Sequence, residues 1–146
     1  MNIESNMEKM TKLKLFGMLR SYEAFNNSRK VSELGNHEFL SFLIDSEWDV
    51  RYNRKLERLL KKSRLRYQAS VESLEFKPGR GINRDLLTKF IDGNYIRRAE
   101  NIIIDGPTGV GKSYLACALG NQACHQGFKV MYFSCLKLFQ MLKMAK

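Results

Sequence analysis

The stretch "NIIIDGPTGVGKSYLACALG", Asn101 to Gly120, decides how this chain is read. Ile102, Ile103 and Ile104 are β-branched and bounded by Asn101 and Asp105, the pattern of a short buried strand. Behind them, Gly106-Pro107-Thr108-Gly109-Val110-Gly111-Lys112-Ser113 fits the spacing G-x-x-x-x-G-K-[ST]. Each position has a physical task. Gly106, Gly109 and Gly111 let the backbone curl so that successive N–H groups face inward as an anion nest. A helical pattern starts at Lys112 and aims unpaired N–H groups and a positive dipole end at the same point. Lys112 reaches the outer phosphates of a nucleotide as a mobile point charge, and Ser113 offers its hydroxyl to the Mg²⁺ that bridges them. Chance would produce this spacing in roughly 1 in 200 chains of this length and composition, so a phosphate cradle is the reading taken forward.

A cradle does not establish hydrolysis. Hydrolysis also requires an acidic residue at the end of another strand to hold Mg²⁺, and a group to orient water. No Asp or Glu occurs in the 33 residues after Ser113. Upstream, Asp105 lies on the cradle strand itself, and Asp85 and Asp92 lie on a preceding helix or its end. No residue is assigned a catalytic role.

Outward from the cradle the pattern is regular. "KSYLACALGNQACHQG" reads as a helix that ends at Gly127, "FKVMYFS" as a second strand over 129–133, and "CLKLFQMLKMAK" as a helix capped by Ser134. Apolar strand, helix and apolar strand form the βαβ pattern of a parallel sheet. Upstream, "NRDLLTKFIDGN" reads as a helix with Asn83 as its cap and Gly93 as its stop. The segment from Phe76 to Leu87 is the candidate source of apolar contacts to a base. Pro78, Gly79 and Gly81 make the strongest linker signal. They divide the chain into a helical, basic domain over 1–75 and a phosphate-binding domain over 76–146.

In the first domain Leu15, Leu19, Tyr22 and Phe25 share one helical face. A second pattern starts at Asn36 and carries Phe39, Leu40, Leu43, Glu47 and Trp48 at helical spacing. It continues without Gly or Pro to Arg66, as one long helix or as two with a bend. Trp48, Tyr52, Leu56, Leu59 and Leu60 make an apolar stripe there. Arg51, Lys55, Arg58 and Lys62, with Arg54 beside them, make a basic one. Eight basic residues and one acidic residue, Glu57, lie between Arg51 and Arg66. Like charges four residues apart destabilise an isolated helix slightly, and phosphates of DNA would offset that. A solvated face and an acidic protein surface are the competing readings of the same stripe.

The net charge of +10 agrees with an anionic partner and equally with a merely soluble basic protein. No stretch approaches the roughly 20 apolar residues of a membrane span, and the N-terminus has no apolar signal-peptide core, so a cytoplasmic protein without a membrane partner is expected. Cys117 and Cys124 lie seven apart on one helix and read as small core hydrophobes. Cys135 completes an odd count that argues against a disulfide framework. His37 and His125 have no second metal ligand at a useful spacing.

Taken together, "LKLFGMLRSYEAF", "FLSFLIDSEWDVRYNRKLERLLKKSRLR", "LEFKPGRGINRDLL" and "AENIIIDGPTGVGKSYLACALGNQACHQGFKVMYF" resemble the N-terminal part of the IstB-like ATPases. These are transposition helper proteins of some bacterial insertion sequences, related to DnaC-type helicase loaders within the AAA+ group. The resemblance implies an α/β chain: a helical N-terminal domain, then an incomplete P-loop AAA+ domain with a parallel sheet, stopping after the second core strand. It implies ATP and Mg²⁺ at Gly106 to Ser113, DNA and a transposase as partners, and ring or filament-like self-assembly. It places the acidic Mg²⁺ residue, the sensor and the arginine finger beyond Lys146, so residues 1–146 are expected to bind ATP without hydrolysing it alone. In such proteins the cradle strand sits mid-sheet, between strands that come later in the chain. The segments 101–105 and 129–133 are therefore expected to pair with each other, to pair with another molecule, or to stay exposed. A DnaC-like loader of a replicative helicase and a non-catalytic DNA- or protein-binding adaptor are the alternative readings.

Overall fold

The computed structural model describes residues 2–27, 35–75 and 84–145. Seven helices are present among them: α1 (Ile3–Lys12), α2 (Phe16–Asn27), α3 (Asn36–Ser63), α4 (Arg84–Ile91), α5 (Asn94–Arg97), α6 (Lys112–His125) and α7 (Cys135–Met144). The chain divides into two compact units, Met1–Lys55 and Leu56–Lys146, so the division falls within α3. The Pro78–Gly81 break and the Asn83 cap lie outside the described residues.

The first unit is organised by the start of α2. The first N–H groups of any helix lack intrahelical partners, and the residue before α2 is Leu15, whose side chain accepts nothing. Glu47, on α3, supplies the missing acceptor. Its Oε2 accepts from the N–H of Gly17 at 2.7 Å and of Met18 at 3.3 Å, while its Oε1 accepts from Arg51 Nε at 2.7 Å. The residue is 7% exposed. Gly17 is required by the same approach, because a Cβ there would stand 2.3 Å from the carbonyl oxygen of Ser46 and 2.7 Å from Glu47 Cα. Beyond that contact, Ser21 Oγ donates to Ser46 Oγ at 2.8 Å, and the Phe25 and Phe39 rings meet with centroids 4.7 Å apart. Of the face expected of Leu15, Leu19, Tyr22 and Phe25, Tyr22 and Phe25 meet Phe39 of α3, whereas Leu19 lies beside Met7 and Thr11 of α1.

In the second unit α6 is the core element. Cys117, Ala118, Leu119, Ala123 and Cys124 are buried along it. Small side chains let the segment after α3 lie close: Ala69 is buried against Cys117 and Ala118, with Leu65, Val71, Leu74, Tyr114 and Tyr132 around them. A Cβ on Gly120 would come within 3.0 Å of Leu65 and 3.3 Å of Val130. Asn121 Nδ2 donates to the Ala69 carbonyl at 2.7 Å, and Gln126 Nε2 donates to that of Ile91. Burial pushes the Cys124 thiol pKa up, with a hydrogen bond to Ser63 opposing. Both thiols are core hydrophobes, as their spacing indicated.

Several expected helix ends are where the signals put them. Gly93 stands left-handed (φ 73°) after α4, Gly127 left-handed (φ 87°) after α6, and the Ser134 side chain accepts from Lys137 N–H at the start of α7. The long segment after Asn36 is one helix. The parallel sheet is different. Among the described residues no strand is formed: 101–105 and 129–133 are irregular, and Ile103 is 90% exposed. A strand is held by a ladder of hydrogen bonds to a neighbour, and apolar sequence alone provides none. The Tyr132 N–H instead donates to the carbonyl of Ser63, at the end of α3, at 2.8 Å. The apolar stripe of α3 is also incomplete. Leu56, Leu59 and Leu60 are half-buried, but Trp48 is 71% exposed and Tyr52 is exposed.

Glu47→Gln is expected to destabilise the first unit by about 2–3 kcal/mol, since the neutral amide loses charge-assisted bonds to two amides and a guanidinium. Burial raises the Glu47 pKa, but Arg51 and the two N–H groups outweigh it and hold the value below the usual carboxylate range. The stability from its ionisation is therefore complete above the unfolded value of about 4.3 and lost as pH falls through the lower folded value. Denaturant melts between neutral and acid pH should show this loss in the native chain and its absence in Glu47→Gln. Gly17→Ala should cost roughly 3 kcal/mol by forcing the two backbones apart.

Candidate functional site

The loop from Asp105 to Gly111 is exposed throughout and ends at the N-terminus of α6. Gly106, Gly109 and Gly111 have φ of 141°, 87° and 96°, values that side-chain-bearing residues rarely adopt. A Cβ on Gly109 or Gly111 would meet no atom within 4 Å. Backbone conformation, not crowding, demands glycine there, and the space in front of the loop is open. Gly111 is the N-cap of α6 and provides no side-chain acceptor, so the first-turn N–H groups are left for an external one. Lys112 folds back over the loop, its Nζ donating to the carbonyls of Gly106 at 2.7 Å and Pro107 at 2.6 Å. These acceptors are neutral, so the ammonium charge remains uncompensated. Curled glycines, uncapped amides and a poised ammonium together fit a chain of phosphates.

Ser113 is exposed at the second position of α6. Among the described residues no group of three or more His, Cys, Asp or Glu side chains stands together. Its hydroxyl fits one position on a hard cation whose other ligands are phosphate oxygens and water, and does not fit an all-protein metal cage. Beside the loop, a cavity of about 340 Å³ is lined by Leu86, Leu87 and Phe90 of α4, by 101–105, and by Leu115 and Leu119. Leu86 and Leu87 belong to the segment singled out for base contacts; the rest of that segment up to Asn83 lies outside the described residues.

The five basic residues singled out on α3, Arg51, Arg54, Lys55, Arg58 and Lys62, are all exposed. They are not equivalent. Arg51 is bonded to Glu47, and the Arg54 guanidinium lies 5.0 Å from the centroid of the Phe16 ring. Both therefore have work inside the first unit. What sequence reasoning missed is Glu47. It was counted as one more residue on an apolar helical face. The available signal was a lone carboxylate on that face with Arg51 one turn later, which marks a buried, paired charge.

The chain matches the family described as IstB-like ATP binding protein over residues 8–146. The chain belongs to this family. It is 37% identical over 140 residues to the insertion-sequence ATP-binding protein y4pL of Sinorhizobium fredii, covering 96% of this chain and 57% of that protein. A relative described as an ATP-binding protein of insertion sequence IS1162, from Pseudomonas fluorescens, is 36% identical over 146 residues, covering 99% and 63%. Another, described in the same way for insertion sequence IS21 of Pseudomonas aeruginosa, is 32% identical over 137 residues, covering 94% and 52%. The chain thus spans about half the length of the curated relatives it matches. This IstB-like chain contains the whole G-x-x-x-x-G-K-[ST] loop and no helix, among the described residues, long and apolar enough to cross a membrane.

Gly111→Ala should cost about 1–2 kcal/mol of stability, because alanine is forced into the left-handed region. Lys112→Ala should change stability by less than about 0.5 kcal/mol, since it removes only bonds to exposed loop carbonyls. Denaturant melts of the two variants check the contrast.

Proposed function

We propose that this IstB-like chain binds ATP through Gly106, Pro107, Thr108, Gly109, Val110, Gly111, Lys112 and Ser113, and that the whole protein serves insertion-sequence transposition by acting on DNA together with a transposase. The observation that carries the ATP reading is the loop itself: three left-handed glycines leading into an uncapped helix N-terminus, with Lys112 turned across them. The amides of the loop and first turn would hold phosphate oxygens, and Lys112 would leave its two carbonyls for the outer phosphates. Ser113 would hold Mg²⁺, which when bound neutralises charge on the phosphates it bridges.

Residues 1–146 are proposed to bind ATP without turning it over alone. No carboxylate follows Ser113 in these residues, and hydrolysis requires one at the end of another strand to hold Mg²⁺. Three of the relatives are described as insertion-sequence ATP-binding proteins, which favours transposition over helicase loading as the setting.

DNA contact is assigned to the basic face of α3. Arg51, Arg54, Lys55, Arg58 and Lys62 are the phosphate contacts in this reading, with Arg51 and Arg54 also holding the first unit together. Parallel strands over 101–105 and 129–133, completed by neighbours in the whole protein, are part of the same proposal, as is self-assembly.

Equilibrium binding of a fluorescent ATP analogue should weaken at least about tenfold in Lys112→Ala. Phosphate release from ATP by the 146-residue chain, abolished by Lys112→Ala, would refute the claim that it does not hydrolyse. Joint replacement of Lys55, Arg58 and Lys62 by alanine should weaken duplex DNA binding and flatten its salt dependence by about 2–3 units of log–log slope. An unchanged slope would remove α3 from the DNA reading.

A further inference from the structure

A second cavity, lined by no residue of the glycine loop, lies in the unit Leu56–Lys146. Its origin is the end of α3. Ser63 is fully buried, its Oγ donating to the Leu60 carbonyl at 2.7 Å and its own carbonyl accepting from Tyr132 N–H at 2.8 Å. That last bond fastens the segment before α7 to the residues that follow α3. Arg64 and Arg66 come from one side; Tyr132, Phe133, Ser134 and Lys137 come from the other. Together with Met141 they line a cavity of about 380 Å³.

Three features of this cavity point to one class of ligand. Among the described residues its charge is all of one sign: Arg64, Arg66 and Lys137 line it, and no carboxylate does. None of the three forms an ion pair among the described residues. Converging cations repel one another, and an anion between them reverses that term. The second feature is Arg64 itself. It stands at φ 51°, in the left-handed region, at the end of a helix where glycine is the usual residue. An arginine there is conformationally unfavourable, and its guanidinium is what glycine would lack. The third feature is aromatic. Tyr132 and Phe133 are half-buried on the cavity wall, beside Ser134 at the N-terminus of α7.

From these we infer that the cavity between Arg64, Arg66 and Lys137 binds a nucleotide unit of single-stranded nucleic acid. The phosphodiester lies among the three cations and the α7 N-terminus, and the unpaired base lies against Tyr132 or Phe133. Backbone-tracking cations with aromatic platforms are how single strands are held without sequence preference. A duplex keeps its base faces stacked and would leave the aromatic wall unused. No residue of the glycine loop lines the cavity, and neither do Lys55, Arg58 and Lys62.

The test is fluorescence anisotropy of a labelled twelve-residue thymidine oligonucleotide with the full 146-residue chain, titrated over a range of salt. Arg64→Gly and Lys137→Ala combined should weaken binding about tenfold and lower the log–log salt slope by about 1.4, from two lost contacts on a single strand. Arg64→Gly should keep or raise the melting temperature, since glycine relaxes the left-handed residue. If it lowers it instead, Lys137→Ala, on an exposed helical face, carries the test alone with a slope change of about 0.7. Tyr132→Leu should weaken oligonucleotide binding at an unchanged slope. Unchanged affinity and slope in the charge variants would overturn the inference. So would an equal loss for a duplex of the same length, or competition by free AMP as effective, per nucleotide, as the oligonucleotide. Loss of oligonucleotide binding in Lys55→Ala/Arg58→Ala/Lys62→Ala with none in Arg64→Gly/Lys137→Ala would place the strand on α3 and overturn it as well.

Discussion

The first unit depends on one carboxylate. Glu47 is a charge almost without access to water, and it is tolerable because each oxygen has a donor: the Gly17 and Met18 amides on one side and Arg51 on the other. The bond substitutes for the cap that Leu15 cannot provide and sets how closely α2 and α3 approach. From that approach follow the absence of a side chain at Gly17, the pairing of Ser21 with Ser46 and the meeting of Phe25 with Phe39. A basic residue on an exposed face thereby becomes part of the scaffold as well as of the surface charge of α3.

Elements set by local chemistry were legible from sequence. The amphipathic repeats located α2, α3, α4, α6 and α7, and Gly93, Gly127 and Ser134 marked ends because a left-handed residue or a side-chain cap acts within a few residues. The conformation of the glycine loop was legible for the same reason: it is written into eight consecutive residues. Cys117 and Cys124, two turns apart on α6, were placed correctly as core. Failures came wherever the partner was distant in sequence. Glu47 read as one more position of a helical repeat because its acceptor role is defined by Gly17, thirty positions away. The basic stripe differs: Arg51 has its partner one turn back, so the signal that sets it apart from Lys62 was local.

The strand segments are a different case, because staying exposed was one of the outcomes expected of them. Ile102, Ile103 and Ile104 have the residues of a buried strand, yet Ile103 faces solvent and no ladder forms among the described residues. Helices satisfy their backbone within one segment; strands do so only with neighbours. The periodicity of a helix is thus nearly sufficient for its formation, whereas a strand pattern is a conditional statement about other chain. The exposed apolar side chains of Leu136, Phe139 and Leu142 on α7 carry the same condition.

The resting position of Lys112 has a consequence for how a ligand arrives. An unrestrained lysine loses up to about 2 kcal/mol of rotamer entropy when it is ordered. Here the side chain is already held by the Gly106 and Pro107 carbonyls, so much of that ordering precedes any encounter. On the proposed reading an arriving phosphate would exchange two neutral acceptors for a charged one, and until then the two carbonyls hold the ammonium near the mouth of the loop.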